Sequence, residues 1–127
     1  MALALRDYEV FRGDPASLPP SMLDVYAELL PEPQVLRVAK IGEQVIGGYA
    51  MYLPSDDKSS HELAMVMVLE DYRQNGVGRW LVGHAIGVAE SRGGRELFAP
   101  VAGPTDFFAG LGFQGKAHDF RFTMIPE

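Results

Sequence analysis

Residues 61 to 80, HELAMVMVLEDYRQNGVGRW, constrain this chain more than any other stretch. From Leu63 onward apolar side chains occupy both parities, so residues 61 to 68 predict a strand covered on both faces and central in its sheet. From Val77 the apolar positions Val77, Trp80, Leu81, Ala85, Val88 and Ala89 keep a helical period, and Arg92, Gly93 and Gly94 supply a stop signal. Between strand and helix lie Arg73, Gly76 and Gly78. A helix start offers unpaired N–H groups and the positive end of a dipole, and the two glycines remove the side chains that would keep an anion away.

The rest of the chain supplies partners for that strand. Residues 3 to 12 suit a first strand closed by Gly13, Asp14 and Pro15. Met22, Val25, Tyr26, Leu29 and Leu30 recur at helical spacing after Pro19 and Pro20, and Pro31 and Pro33 stop the helix. Residues 35 to 40 and 45 to 53 read as a hairpin around IGEQ with a bulge near Gly47 and Gly48. Residues 95 to 101 form a short strand, residues 104 to 111 a short helix ending at Gly112, and DFRFTMI a final strand, with room for another just after Phe113. The order β, α, β, β, β, α, β, α, β predicts an α/β fold in which a mixed central β-sheet is flanked by helices on both faces.

With 127 residues the chain reads as one domain spanning 1–127. A net charge of −6 without any basic run argues against nucleic acid. The absence of cysteine excludes disulfides, thiol catalysis, an acyl-cysteine relay and cysteine metal ligation. His61, His84 and His118 show no ligand spacing, so no metal is expected. The MALAL start is too short for a signal sequence and no apolar run reaches the length of a membrane span, so a cytoplasmic location is the default expectation.

The glycine loop narrows the choice of anion. A P-loop needs Lys and Ser or Thr after its last glycine, where this chain has Arg79 and Trp80. A dinucleotide fingerprint needs a further glycine where Leu81 stands. The remaining pattern, Arg73-x-x-Gly76-x-Gly78 between a buried strand and a helix, resembles the pyrophosphate loop of the GNAT superfamily of acetyl-CoA-dependent N-acetyltransferases. VIGGYAMYL is similar to that family's third strand and HELAMVMV to its fourth, and FFAGLGF, residues 107 to 113, resembles its short helix ending in Leu-Gly-Phe. These segments cover about half the chain in the right order, whereas the N-terminal third matches only in element order.

The resemblance implies the GNAT fold and roles for particular residues. The backbone from Gln74 through Asn75, Gly76 and Val77 to Gly78, with Arg73, would hold the pyrophosphate of acetyl-CoA. Val66, Met67 and Val68 would pair through their backbone with the pantetheine arm, and one of their N–H groups would stabilise the oxyanion. Glu62 stands where some members carry a glutamate base; it reads equally as a solvated carboxylate at a strand mouth. His61 is the next candidate, but adjacent strand residues point to opposite faces, so at most one of the pair faces the site. Phe108 would lie against the cofactor where many members have a tyrosine that protonates the departing thiolate. It has no proton to give, and the double phenylalanine resembles the branch that includes N-acetylglutamate synthases.

The implied activity is acetyl transfer to a primary amine of a small molecule or amino acid by direct attack in a ternary complex. Two other readings stand beside it: a non-catalytic acyl-CoA-binding sensor or docking module, and an enzyme acting on a protein or peptide amine. The segment from Pro15 to Pro33 is short for the region that shapes the acceptor site, which leaves that site open or completed by a second copy in a homodimer. His84 is expected as a hydrogen-bonded core or boundary residue and His118 with Asp119 as part of a turn. Trp80, Met65 and Met67 are expected to pack, and Glu70, Asp71, Asp56 and Asp57 to be solvated.

Overall fold

The computed structural model describes residues 9–54, 60–100, 110–116 and 119–123. Seven strands form one sheet: β1 (Glu9–Arg12), β2 (Val35–Ile41), β3 (Gln44–Tyr52), β4 (Ser60–Val68), β5 (Glu96–Ala99), β6 (Gln114–Lys116) and β7 (Asp119–Thr123), in the order β1-β2-β3-β4-β5-β7-β6. The strand whose apolar residues occupy both parities is the fourth of the seven and is covered on both faces. All neighbours are antiparallel except β4 and β5. Their connection carries helix α2 (Val77–Ser91), as a parallel crossover requires.

Helices lie on both faces. Along α2, Val77, Leu81, Val82, Ala85 and Ala89 are buried against Val35, Ile46, Met51, Leu63 and Leu97. On the other face α1 (Pro20–Ala27) places Met22 and Tyr26, one turn apart, over Leu36, Val38, Ala50 and Met65. Full burial of each large apolar side chain is worth about 1.5–3 kcal/mol, so the two clusters hold the helices to the sheet.

A bulge in each of β3 and β4 shifts which residues face which cluster. In β4, Met51 opposes Leu63 and Ala50 opposes Met65, which leaves Ala64 as an extra residue. Leu63 therefore belongs to the α2-side cluster and Met65 to the α1-side cluster, although a regular strand would point both the same way. The hairpin bulge falls at Ile46, beside the expected Gly47. Glycine at 47 is required by close approach, since a Cβ there would lie 2.9 Å from the Met67 carbonyl oxygen.

The element bounds depart from expectation at prolines. Helix α1 ends at Ala27 rather than Leu30, and Leu30 is 86% exposed. A residue preceding proline is disfavoured in the helical region, so Pro31 ends the helix early. Strand β5 stops at Ala99, just before Pro100. The strand after Phe113 is present as β6, while of the expected helix at 104–111 only its end at Gly110 and Leu111 lies within the described residues.

Candidate active site

The site is built from the two ends of β4. At its C-terminal end Leu69 donates to the Ile46 carbonyl at 2.8 Å, and a single 3-10 turn, Glu70–Tyr72, carries the chain outward. Arg73 Nε donates to the Val68 carbonyl at 2.9 Å, and Asn75 Nδ2 donates to the Tyr72 and Arg73 carbonyls at 3.3 and 3.0 Å. These bonds hold the loop in a fixed shape. Gln74 has φ +65° and Gly76 φ +83°, conformations that turn backbone N–H groups into a concave cradle. Gln74 is a non-glycine residue in a costly region of backbone space, a local strain that clusters at ligand sites and that sequence patterns do not reveal.

Gly76 is the N-cap of α2, and no side chain caps the helix. A Cβ at Gly76 would meet no atom within 4 Å. Glycine there answers to the backbone conformation and not to internal packing. The first-turn N–H groups of α2 thus have no partner within their own helix and face the positive dipole end, an arrangement that fits an anionic group. Gly78 lies within that first turn, and Val77 is buried beneath it.

At its other end β4 pairs with β5 through three positions only, Ser60↔Glu96, His61↔Leu97 and Glu62↔Phe98. Beyond Glu62 no described strand pairs with that side of β4, so residues 63 to 68 present a backbone edge able to accept an extended ligand. Val66 and Val68 lean towards the α2 side and Met67 towards the α1 side. Glu62 lies where the two strands part. From Glu62 to Val68 the strand advances about 20 Å, which separates the anion cradle from the carboxylate.

Glu62 and His61 occupy opposite faces. Glu62 is half-buried on the α1 side, directly across from Tyr52. Tyr52 donates to the Pro31 carbonyl at 2.7 Å, and its pKa is raised by burial and by the charge of Glu62. Tyr26 donates to Glu32 at 3.0 Å and is pushed up to about 12 by burial, by that bond and by the Glu32 charge. Both phenols stay protonated at neutral pH. His61 is instead 1% exposed beneath the end of α2, its Nδ1 without a partner among the described residues. Burial and the charge of Arg92 hold its pKa below the ordinary value. It does not share a face with Glu62.

Among the remaining candidates, His84 Nδ1 lies 2.8 Å from the Tyr49 hydroxyl, in the role of a hydrogen-bonded boundary residue. Burial, then the Arg37 charge, lowers its pKa. Met65 is buried and Met67 partly so. Trp80, however, is 41% exposed, because position 80 falls off the sheet-facing stripe of α2. Glu70 and Asp71 are exposed. Phe107, Phe108, Asp56, Asp57 and His118 lie outside the described residues, as does the side chain of Asp119. Among the described residues no group of three metal-ligating side chains converges, and no helix is long and apolar enough to cross a membrane.

The family model described as the Acetyltransferase (GNAT) family matches residues 3–113. Several solved structures share the fold. A GNAT family acetyltransferase from Brucella melitensis in complex with acetyl-CoA superposes with a TM-score of 0.72 at 16% identity, covering 94% of this chain and 90% of that one. One from Elizabethkingia anophelis with acetyl-CoA bound gives 0.67 at 18% identity, over 87% and 78% of the two chains. N-acetylglutamate synthase from Neisseria gonorrhoeae, complexed with coenzyme A and N-acetyl-glutamate, gives 0.70 at 18% identity over 87% of this chain and 29% of that much longer one. The chain matches no curated protein by sequence.

Proposed function

Because the chain belongs to the GNAT acetyltransferase family, we propose that it moves an acetyl group from acetyl-CoA to a primary amine of a small molecule or amino acid, with donor and acceptor bound together. The observation that carries this reading is the parting of β4 from β5 directly after Glu62↔Phe98, on the strand whose other end runs into the uncapped, glycine-led start of α2. One strand thus offers a phosphate cradle, an open backbone edge and a carboxylate in sequence.

Acetyl-CoA supplies the activated thioester. The N–H groups from Gln74 to Gly78 hold its pyrophosphate, and the α2 dipole favours the charge. The edge formed by Val66, Met67 and Val68 aligns the pantetheine arm through main-chain hydrogen bonds, and one N–H of that edge stabilises charge developing on the carbonyl oxygen. Glu62 accepts a proton from the ammonium form of the acceptor, directly or through a water, which frees the nitrogen lone pair. A C–N bond forms as the C–S bond breaks, and the attacking nitrogen gives up its second proton to water, which leaves a neutral amide. With phenylalanine at Phe108 the sulfur departs as a thiolate, which a thiol pKa near about 8.5 allows when cysteine is the guide.

The test is thiol release from acetyl-CoA across amino acids, polyamines and peptides, for which a chain without cysteine contributes no background. Release that depends on one class of small amine is expected, and Glu62→Gln is expected to lower kcat/KM by about 100-fold at neutral pH. Equal rates for Glu62→Gln and the parent would remove Glu62 as the base. No release from any amine by a folded protein that binds acetyl-CoA would make this an acyl-CoA-binding module instead.

A further inference from the structure

Beyond Arg12 the chain leaves β1: the Gly13 amide donates to the Leu36 carbonyl at 2.9 Å, and the segment that follows leads to α1. A cavity of about 380 Å³ lies at this corner of the sheet, within the volume range of small-molecule sites. Arg12 of β1, Arg37 of β2 and Arg92 at the end of α2 line it, together with Tyr26, Glu32 and Gln34. Neither Glu62 nor any residue of 66–68 or 74–78 belongs to the lining. The cavity is therefore separate from the glycine-led cradle and from the carboxylate on β4.

Three guanidinium groups thus border one space in a chain whose net charge is −6. Among the described residues none of the three forms an ion pair. Arg37 Nη1 donates to the Leu36 carbonyl at 3.1 Å, which ties one edge of its guanidinium. After burial, the Arg37 charge is the further cause that lowers the pKa of His84, and Arg92 acts in the same way on His61. The single carboxylate of the lining, Glu32, accepts from the Tyr26 hydroxyl at 3.0 Å and neutralises none of the three. Like charges around one space repel, and an anion between them turns that repulsion into attraction. Gln34 Oε1 accepts from the Leu53 amide at 3.1 Å, which leaves its Nε2 donors for another partner.

We propose that this cavity binds a small phosphomonoester whose phosphate is held by Arg12, Arg37 and Arg92. A carboxylate is planar and is saturated by one or two guanidinium forks. A phosphate offers three terminal oxygens to donors arriving from three separate elements. Glu32 keeps acceptor capacity beyond its bond to Tyr26, which suits hydroxyl groups on the organic part of the ligand.

Calorimetric titration of the folded protein in phosphate-free buffer reads this binding without turnover. Inorganic phosphate, glycerol 3-phosphate and glucose 6-phosphate are titrated with and without saturating coenzyme A, which tells a phosphate in the cradle from one in the cavity. At least one phosphomonoester is expected to bind saturably at a site that coenzyme A does not displace, with citrate at least about 10-fold weaker. Arg12→Gln and Arg92→Gln are each expected to weaken that binding by about 10-fold or more, the scale of one charge-assisted hydrogen bond. Arg95→Gln makes the same change of charge at an exposed residue outside the cavity, and is expected to alter the affinity by less than about two-fold. No saturable binding of any of the three phosphates, full displacement by coenzyme A, or citrate bound as tightly as the best phosphomonoester would overturn the proposal. Equal losses in Arg92→Gln and Arg95→Gln would also overturn it, by showing a diffuse response to charge.

Discussion

Glu62 and Phe98 are the last residues to pair β4 with β5, and the β4 bulge at Ala64 follows two residues later. The bulge bends and twists β4 where it leaves its neighbour, and the edge that no described strand pairs therefore begins beside the carboxylate. Strand geometry and chemistry meet at one position.

The cradle depends on the backbone of Gly76. A side chain at φ +83° costs about 1–2 kcal/mol, and it projects into the space before the helix. Gly76→Val is expected to lower Tm by several degrees and to weaken acetyl-CoA binding by at least about 10-fold, measured by calorimetric titration of the folded variant. Unchanged affinity would remove the loop from the site.

Stability is expected to fall below neutral pH. Burial, with the Arg92 charge, holds His61 under its ordinary value of about 6.5, so below that pH the unfolded chain binds the proton more readily than the fold. The contribution of His61 is complete above about 6.5 and is lost as pH falls from there towards its lower folded pKa, at up to about 1.4 kcal/mol per pH unit. His84 shares the direction. Urea unfolding between pH 7.5 and 5 measures the slope, and His61→Gln is expected to reduce it without abolishing it.

Gly94 seals the end of α2 over His61. A Cβ there would lie 2.8 Å from both the Ala89 carbonyl oxygen and His61 Nδ1. Neither backbone nor a fully buried ring can give way cheaply, so Gly94→Ala is expected to destabilise by about 1–3 kcal/mol. A denaturation midpoint equal to the parent's would show that the helix end adjusts freely.

Tyr49 is fully buried, and its hydroxyl meets His84. Tyr49→Phe leaves His84 Nδ1 without that partner, at an expected cost of about 1–2 kcal/mol in chemical denaturation. Because the pair joins β3 to α2 on the face opposite Glu62, the pH profile of turnover is expected to keep its shape.

Periodicity and glycine placement along this chain determined much of the architecture: a central strand from residues apolar at both parities, an amphipathic helix from Val77, and an anion-ready loop between them. These are local signals, written in spacings of two and about 3.6 residues and in the backbone freedom of Gly76. Only the tertiary structure decided which chemistry those elements bring together. The parting of β4 from β5 after Glu62, the turn of His61 to the buried face and the row that joins Glu62 to Arg121 arise from pairing between residues 36 and 23 positions apart. The unexpected bulge at Ala64 likewise depends on how β4 meets β3, because, unlike the hairpin bulge beside Gly47 and Gly48, it has no glycine to mark it and is set by the pairing of the two strands.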